Sequence, residues 1–349
     1  MRVAVYTIAL NEEHFAERWA ETTAQADFAF VADTGSTDRT IAILDNYRIP
    51  VQRIAVRPWR FDDARNAALA LLPDDFDVVI SLDLDETLSD NWRDIIERSF
   101  QGTRLKYGYV WSWQGDRPNV TFLSDKIAGR FTHRWRHPIH EILVPTVPEV
   151  ICTTHEVVIE HHADEHKSRG QYLDLLKLAV AETPSDDRCA HYLGRELFFH
   201  RRYHEAIAEF TRHLGLPSAT WTAERASSMR YIGKCYDGLG DHALAHQWFL
   251  RATLEDSSRE SLVEAARFCL SQDRFHAVID FCERALANGA TVDTYMTERY
   301  PNDEGPYDLA AVAYFHLGDR ERAIPLAEEA VRRNPTDQRL CSNLAKMNA

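Results

Sequence analysis

Cysteine is scarce in this chain, and its cysteines have none of the spacings that mark a metal site or a disulfide framework. The 349 residues include six of them. Isolated thiols, several on helical faces, are typical of buried free cysteines in a reducing compartment, whereas small secreted domains depend on paired ones. The sequence therefore argues against a disulfide-stapled domain. The cysteines are Cys152, Cys189, Cys235, Cys269, Cys282 and Cys341.

An excess of positive charge and long apolar runs are also lacking. The formal net charge is −14, which disfavours a nucleic-acid partner. No uninterrupted apolar stretch approaches the length that spans a membrane. The first apolar run ends by Leu10 in a polar Asn-Glu-Glu sequence without a cleavage site, which indicates a strand and no signal peptide. We expect a soluble, cytoplasmic protein without a transmembrane segment.

Strand and helix patterns alternate through the first half of the chain. A length of 349 residues predicts two domains, and we place the first at residues 1–165. Short apolar runs predict strands, and the amphipathic segments between them predict helices. This alternation is typical of an α/β fold with a doubly wound, mostly parallel sheet. The predicted strands are Val3 to Leu10, Phe28 to Ala32, Ile54 to Val56 and Val78 to Leu82.

Two carboxylates follow the fourth predicted strand directly. Asp83 and Asp85 stand at its carboxyl end, where open α/β sheets place their ligands. Residues i and i+2 of an extended segment lie on the same side, so both carboxylates can face one site. Such hard oxygen ligands suit Mg²⁺ or Mn²⁺. The plainer alternative is a strand end capped by solvated acids.

Several short motifs follow one another along this half of the chain. They are Asn11-Glu12-Glu13, Asp33 to Asp38, Ala64-Arg65-Asn66, Asp83-Leu84-Asp85, Phe131 to Glu141 and Glu160-His161-His162. In this order they resemble the family 2 glycosyltransferases, and the resemblance implies the nucleotide-binding GT-A fold. More narrowly, they resemble a bacterial branch of that family that carries tetratricopeptide repeats and includes a peptide S-glycosyltransferase. The resemblance covers roughly residues 1–165.

The resemblance implies a UDP-sugar as donor substrate and Mn²⁺ or Mg²⁺ as cofactor. Thr34 stands where the second motif most often has another acid. Arg65 would approach the diphosphate, because a guanidinium grips phosphate oxygens with two donors. The metal ligands would be Asp85 and His161. The residues implied to bind the nucleotide-sugar are Thr7, Ala9, Asn11, Glu13, Asp33, Thr34, Arg65, Asp83 and Leu84.

The resemblance also implies an acid near Glu141, which is our candidate general base. A hydroxyl or thiol that attacks an anomeric carbon needs a carboxylate to take its proton. Asp116 and Asp125 are rivals, and a strand-capping role for Glu141 is the plainer alternative. We interpret the basic segment from Arg130 to Glu141 as the group that neutralises a diphosphate leaving group.

The second half of the chain, residues 166–349, has helical periodicity. Lys167 to Thr183 predicts a helix, and beyond it small and large residues recur as in stacked helix pairs. The pattern is that of tetratricopeptide repeats, which bind peptides or associate with one another. We predict four units. They are marked by Gly194 with Phe210, Gly233 with Phe249, Ala266 with Val278, and Ala311 with Ala323.

These observations predict a metal-dependent glycosyltransferase, with inversion at the anomeric carbon expected from the resemblance. Its repeats would bind a peptide or protein acceptor, or would pack against the catalytic domain or a second copy in a homodimer. The alternative is a non-catalytic tetratricopeptide adaptor with a nucleotide-binding amino-terminal domain. The intact Asp83, Asp85 and Arg65 favour the enzyme, because unpaired charge is costly to keep.

Overall fold

The computed structural model describes residues 1–164, 170–288 and 294–349. The chain divides into two compact units, Met1–Ala179 and Val180–Ala349, which we call the sheet unit and the helical unit. The predicted domain boundary at 165/166 and the predicted start of a helix at Lys167 lie outside the described residues. The described part of that helix is α5, Tyr172–Glu182.

The sheet unit is a mixed α/β structure around a large sheet. Eight strands pair in the order β3-β2-β1-β4-β7-β6-β10-β5. The strands are β1 Val3–Ala9, β2 Phe28–Asp33, β3 Val51–Arg53, β4 Val78–Ser81, β5 Glu86–Leu88, β6 Arg104–Gln114, β7 Arg117–Gly129, β8 His133–Arg136, β9 Ile142–Pro145 and β10 Ile151–His161. The helices are α1 Glu13–Thr22, α2 Thr40–Asn46, α3 Phe61–Ala70 and α4 Trp92–Ser99. Strands β8 and β9 form a separate two-stranded sheet.

Parallel pairing dominates one side of the sheet and is interrupted on the other. Strand β1 pairs in parallel with β2 and β4, and β3 pairs in parallel with β2. Beyond β4, the long hairpin of β6 and β7 brings antiparallel pairs. The predicted strand at Ile54 to Val56 is wrong by three residues. Val51–Arg53 pairs with the end of β2 instead, and Ile54 adds only a backbone hydrogen bond to Asp33.

The apolar residues of the central strands form the core that supports the carboxyl end of β4. Val3, Val5, Val78 and Ile80 are fully buried, as expected for strands covered on both faces. Trp19 on α1 is also fully buried, and its indole Nε1–H donates to the carbonyl of Leu82 at 2.9 Å. Helix α1 therefore fixes the backbone just before Asp83.

In its described residues the helical unit contains four successive antiparallel helix pairs, as predicted, a short helix, Arg299–Asn302, before the fourth pair, and a last helix. Gly194 and Gly233 of two first helices contact the rings of Phe210 and Phe249, where an added Cβ would lie 2.6 Å and 3.0 Å from ring carbons. Small residues therefore let the paired helices approach. The helices are α6 Asp187–Phe199, α7 Tyr203–Gly215, α8 Thr222–Gly238, α9 His242–Glu255, α10 Arg259–Ser271, α11 Phe275–Ala287, α12 Arg299–Asn302, α13 Gly305–His316, α14 Arg320–Arg333 and α15 Gln338–Asn348.

The same left-handed turn closes the first helix of each pair. The residue with positive φ is Arg201, Gly240, Asp273 or Gly318, and the next helix begins two residues later. The residue after the turn donates its N–H to a carbonyl five positions back in every case, as from Asp319 to Tyr314 at 3.0 Å. This is the Schellman arrangement that satisfies the last carbonyls of a helix. Two of the four turns have it without glycine.

These turns give a stability prediction. Gly318→Ala should lower the free energy of unfolding by about 1 kcal/mol, because a Cβ is strained in the left-handed region. Arg201→Gly should raise it by about 0.5 kcal/mol, since relief of that strain exceeds the entropy cost of glycine. Gly215→Ala is the control, because Gly215 has no positive φ and its added Cβ meets nothing within 4 Å. Urea unfolding measures all three, and equal effects of Gly318→Ala and Gly215→Ala would contradict the assignment.

Candidate functional site

The candidate site lies where the carboxyl ends of β1, β2 and β4 meet. Parallel pairing aligns Ala9 with Asp33 and Tyr6 with Ser81. After β4 the side chains alternate: Leu82 and Leu84 are fully buried in the core, whereas Asp83 and Asp85 contact the charged side chain of Arg65 and the ring of His161, respectively. Leu84, predicted to contact the nucleotide-sugar, therefore offers its backbone alone.

A buried arginine connects the two ends of the site. Arg65 on α3 pairs with Asp83, with Nη1 to Oδ1 at 2.7 Å, and its Nε donates to Glu141. It also donates to the Ser81 hydroxyl at 3.2 Å, and its guanidinium lies over the Trp135 ring. The structure thus brings together three predicted residues. These bonds engage Nε and Nη1 of the guanidinium that the resemblance assigns to a diphosphate.

Sequence reasoning missed the second cation of the site, Lys126 on β7. Its ammonium lies 3.1 Å from Asp83 and 3.2 Å from the buried Glu86. Glu86 also accepts from the Tyr109 hydroxyl at 2.6 Å. Burial opposes ionisation of Asp83, but the charges of Arg65 and Lys126 hold the pKa of its carboxyl well below the usual range. Asp83 is therefore a fixed carboxylate between two cations.

The two predicted metal ligands face each other. Asp85 Oδ2 lies 3.5 Å from His161 Nε2. The other ring nitrogen, Nδ1, lies 2.8 Å from the carbonyl oxygen of Trp111, and a carbonyl only accepts, so Nδ1 carries the proton. The Nε2 lone pair of a neutral His161 then points at a carboxylate, an arrangement that needs a proton or a cation between the two groups.

This donor set fits a divalent cation. Burial lowers the pKa of His161, but the hydrogen bond and charge of Asp85 outweigh it and raise the pKa above its ordinary value. An outer hydrogen bond that fixes the tautomer is the usual support for a metal-binding histidine. One carboxylate and one imidazole leave most coordination positions to other ligands, as Mn²⁺ or Mg²⁺ bound to a diphosphate requires.

Arg18 on α1 is a further residue that sequence reasoning missed. Its Nε and Nη2 are buried, and neither has a hydrogen-bond partner among residues 1–164, 170–288 and 294–349. Burial lowers the pKa of Arg18, and the negative charges of Asp85 and Glu160 act against that effect. A buried donor on a cation normally has a partner, so this guanidinium can accept an anion beside the Asp85–His161 pair.

Three of the residues predicted to face the nucleoside accept hydrogen bonds from backbone N–H groups of the loop after β2. The Asn11 side chain accepts from Thr37 N–H at 2.7 Å, and Glu13 accepts from Arg39 N–H. Asp33 is fully buried and accepts from the N–H groups of Gly35 and Ser36. These contacts shape the loop.

The remaining three predicted nucleoside residues lie on or beside β1. Thr7 is fully buried, and Ala9 is also buried. Thr34 donates its hydroxyl to the carbonyl of Ala9 at 2.9 Å. A depression of about 820 Å³ beside α2 and β3 is lined by Ser36, Arg53 and their neighbours, and by none of the predicted residues.

The rival bases and the basic segment have other partners. Asp125 pairs with Arg104 at 2.6 Å, and Asp116 lies at the exposed turn between β6 and β7. Arg130 donates to the carbonyls of Leu72 and Pro73, and His133 bonds to Glu149. The interpretation of the whole segment as a charge-neutralising group is wrong for these two residues, because scaffold groups occupy their donors. Glu141 alone among the three acids contacts Arg65.

Comparison with known proteins bears on the helical unit. A tetratricopeptide repeat family model matches residues 306–337, which are the fourth helix pair. No curated protein matches the chain. The described residues contain no helix that is both long enough and apolar enough to cross a membrane.

Solved structures with similarity to the chain cover about half of it. The structure from a functional characterisation of Pseudomonas aeruginosa pilF shares 14% identity over 50% of this chain and 72% of that chain, with a TM-score of 0.38. YrrB is described as a tetratricopeptide protein with an unusual peptide-binding site. It shares 14% sequence identity over 49% of this chain and 81% of that chain, with a TM-score of 0.37. A tetratricopeptide repeat protein from Cytophaga hutchinsonii shares 14% sequence identity over 51% of this chain and 65% of that chain, with a TM-score of 0.42. Likeness at this level shows no shared ligand.

The site gives a second stability prediction. Arg65→Met should lower the free energy of unfolding by about 3–5 kcal/mol, because it leaves Asp83 and Glu141 without their common cation. Arg39→Met is the matched control, since its pair with Glu13 is exposed and is worth at most about 1 kcal/mol. Urea unfolding of both variants decides the point, and a loss no larger than that of the control would show that Arg65 does not hold the site together.

Proposed function

We propose that the protein is a metal-dependent glycosyltransferase that transfers a sugar from a nucleotide-sugar, most simply a UDP-sugar, to an acceptor nucleophile. The observation that carries the proposal is the Asp85–His161 pair, with 3.5 Å between Oδ2 and Nε2 at the carboxyl end of β4. A carboxylate oxygen and an imidazole nitrogen held that close, beside a cation with unpaired donors, suit a divalent metal that shares a diphosphate with the protein.

Asp85 and His161 would hold Mn²⁺ or Mg²⁺. When bound, such an ion stabilises the negative charge that develops on a departing diphosphate. Arg18 supplies a second positive group near the same place, and its buried Nε and Nη2 are the donors available for phosphate oxygens. Fixed charges of this kind stabilise a leaving group without reorganising.

Glu141 is the proposed general base. Arg65 pairs with one carboxylate oxygen of Glu141. The other oxygen can accept the proton of an acceptor hydroxyl or thiol. Asp83, fixed between Arg65 and Lys126, would position the ribose or the sugar. A single displacement with this one base inverts the configuration at the anomeric carbon.

The competing function is that of a tetratricopeptide adaptor. The family match at residues 306–337 and the four helix pairs favour it, because such repeats serve peptide or protein binding. In the enzyme that we propose, the same repeats would bind a peptide or protein acceptor or form a homodimer. Turnover distinguishes the two functions, since an adaptor hydrolyses no nucleotide-sugar.

The first test of this function concerns the metal. With Mn²⁺ present, the protein should slowly hydrolyse at least one member of a panel of nucleotide-sugars, and Asp85→Asn should abolish that activity while the protein stays folded. Asp94→Asn, an exposed acid on α4, is the matched control and should keep full activity. Hydrolysis that is unaffected by chelation or by Asp85→Asn would contradict the proposed site.

The second test concerns the diphosphate. Arg18→Gln should weaken UDP binding about tenfold, the scale of a charge-assisted hydrogen bond of about 1.5 kcal/mol. It should weaken UMP binding less, because UMP lacks the distal phosphate. Calorimetric titration with both nucleotides measures the difference, with Arg39→Gln as the exposed control. Equal losses for UDP and UMP would place Arg18 away from the diphosphate.

A further inference from the structure

Two arginines in the first repeat of the helical unit lack the partners that buried cations normally have. Arg188 and Arg195 lie on α6, and the Nε of each is buried without a hydrogen-bond partner in the described ranges 1–164, 170–288 and 294–349. Neither forms an ion pair with a carboxylate of those ranges. The protein has 54 acidic residues against 40 basic ones, so a shortage of carboxylates does not explain the missing partners.

Aromatic rings hold both guanidinium groups in place. The Cζ of Arg188 lies 4.8 Å from the ring centroid of Tyr192, and that of Arg195 lies 5.2 Å from the same ring. Arg188 also lies 5.5 Å from Tyr295, and Arg195 lies 6.0 Å from Tyr231 on α8. Cation–π contacts at these distances orient a guanidinium and leave the Nε–H of each arginine available, although Arg195 also has a side-chain hydrogen bond to Tyr231.

Further positive groups surround this pair. Burial lowers the pKa of His191 well below its ordinary value, and the nearby charges of Arg195, Arg230 and Arg188 add to the effect. On α8, Arg230 donates to the Ser261 hydroxyl at 3.0 Å, whereas Lys234 is already paired with Glu264. Arg188 and Arg195 therefore lie in a positively charged part of the helical unit, where Glu224 is the carboxylate whose charge acts on Arg188.

The spacing of the two arginines selects the kind of anion. They occupy positions i−4 and i+3 relative to Tyr192, so they flank it on one helix face. Seven residues of helix separate their Cα atoms by about 10 Å along the axis, and the two Cζ atoms lie 4.8 Å and 5.2 Å from the centroid of the Tyr192 ring that they share. In the polyproline II conformation three residues advance a peptide by about 9 Å and complete one turn, so two acidic side chains three positions apart lie on one side and match the pair.

We propose that Arg188, Tyr192 and Arg195 form a binding site for an extended acidic peptide segment, in which each guanidinium pairs with one carboxylate. Each free Nε–H then gains an acceptor, and the tyrosine ring lies between the two ion pairs. Every residue of the site belongs to Val180–Ala349, so the proposal stands whether or not the sheet unit is a glycosyltransferase.

The test uses the full chain and a labelled eight-residue Gly/Ser peptide that carries two glutamates three positions apart. Fluorescence polarisation should show binding that weakens with salt, and a peptide with glutamines in their place should bind at least about tenfold more weakly. Arg188→Gln and Arg195→Gln should each weaken the glutamate peptide about tenfold. Arg251→Gln, an exposed arginine stacked on Trp248, should leave binding unchanged.

Thermal unfolding separates a binding role from a structural one. Removing a buried cation without a partner should leave Tm of the free protein unchanged or raise it, and the glutamate peptide should raise Tm of the wild type but not of the double variant. The proposal is overturned if no peptide binds, or if glutamate and glutamine peptides bind equally. It is also overturned if both variants lower Tm without affecting binding, or if inorganic phosphate binds the pair more tightly than the peptide does.

Discussion

The ion pairs of Arg65 are the contacts on which the candidate site depends. One guanidinium, buried against Trp135, joins α3 to Asp83 after β4 and to Glu141 before β9. Trp135 in turn donates to the Tyr6 hydroxyl at 2.8 Å, which ties the two-stranded sheet to β1. Breaking a buried ion pair leaves an uncompensated charge, so these carboxylates cannot move away from Arg65 without a large loss of stability. Arg65 is thus a residue that positions the proposed base.

Buried cations have different partners in the two units. In the sheet unit, Arg65 and Lys126 are each shared between two carboxylates. In the helical unit, Arg188 and Arg195 are held by rings and lack carboxylates of the described chain. Paired cations build a rigid scaffold, whereas unpaired ones keep donors for a ligand. Arg18 belongs to the second kind although it lies in the sheet unit, which is why we assign it to substrate.

Much of the architecture could be predicted because it follows from periodicity. A strand such as Val78 to Leu82, or a pair of helices such as the one marked by Gly194 and Phe210, can be predicted from the residues of that segment itself. The placement of Asp85 with His161 rested on the family resemblance, since 76 positions separate them. Lys126 could not be found in this way. It reaches Asp83 because β7 pairs with β4 in antiparallel fashion, and no local pattern reveals that neighbour.

The partners of charged residues were the least predictable feature. The sequence suggests that Arg65 is free to bind phosphate, yet its Nη1 and Nε are paired with Asp83 and Glu141. Arg18 reads as a solvated helix residue, yet two of its nitrogens are buried. The pairing of these two arginines depends on tertiary contacts, so the sequence indicates which residue types gather at the site but not which of them remain available to a ligand.

The central claim, that Asp85 and His161 bind a divalent cation together with a nucleoside diphosphate, can be tested directly by pulsed electron paramagnetic resonance of Mn²⁺ added with UDP. The account predicts nitrogen modulation from the His161 imidazole and phosphorus coupling from UDP in the same spectrum, with the nitrogen signal lost in His161→Gln. A spectrum with phosphorus coupling but no nitrogen modulation in the wild type, or one identical to Mn²⁺ with UDP in buffer, would contradict it.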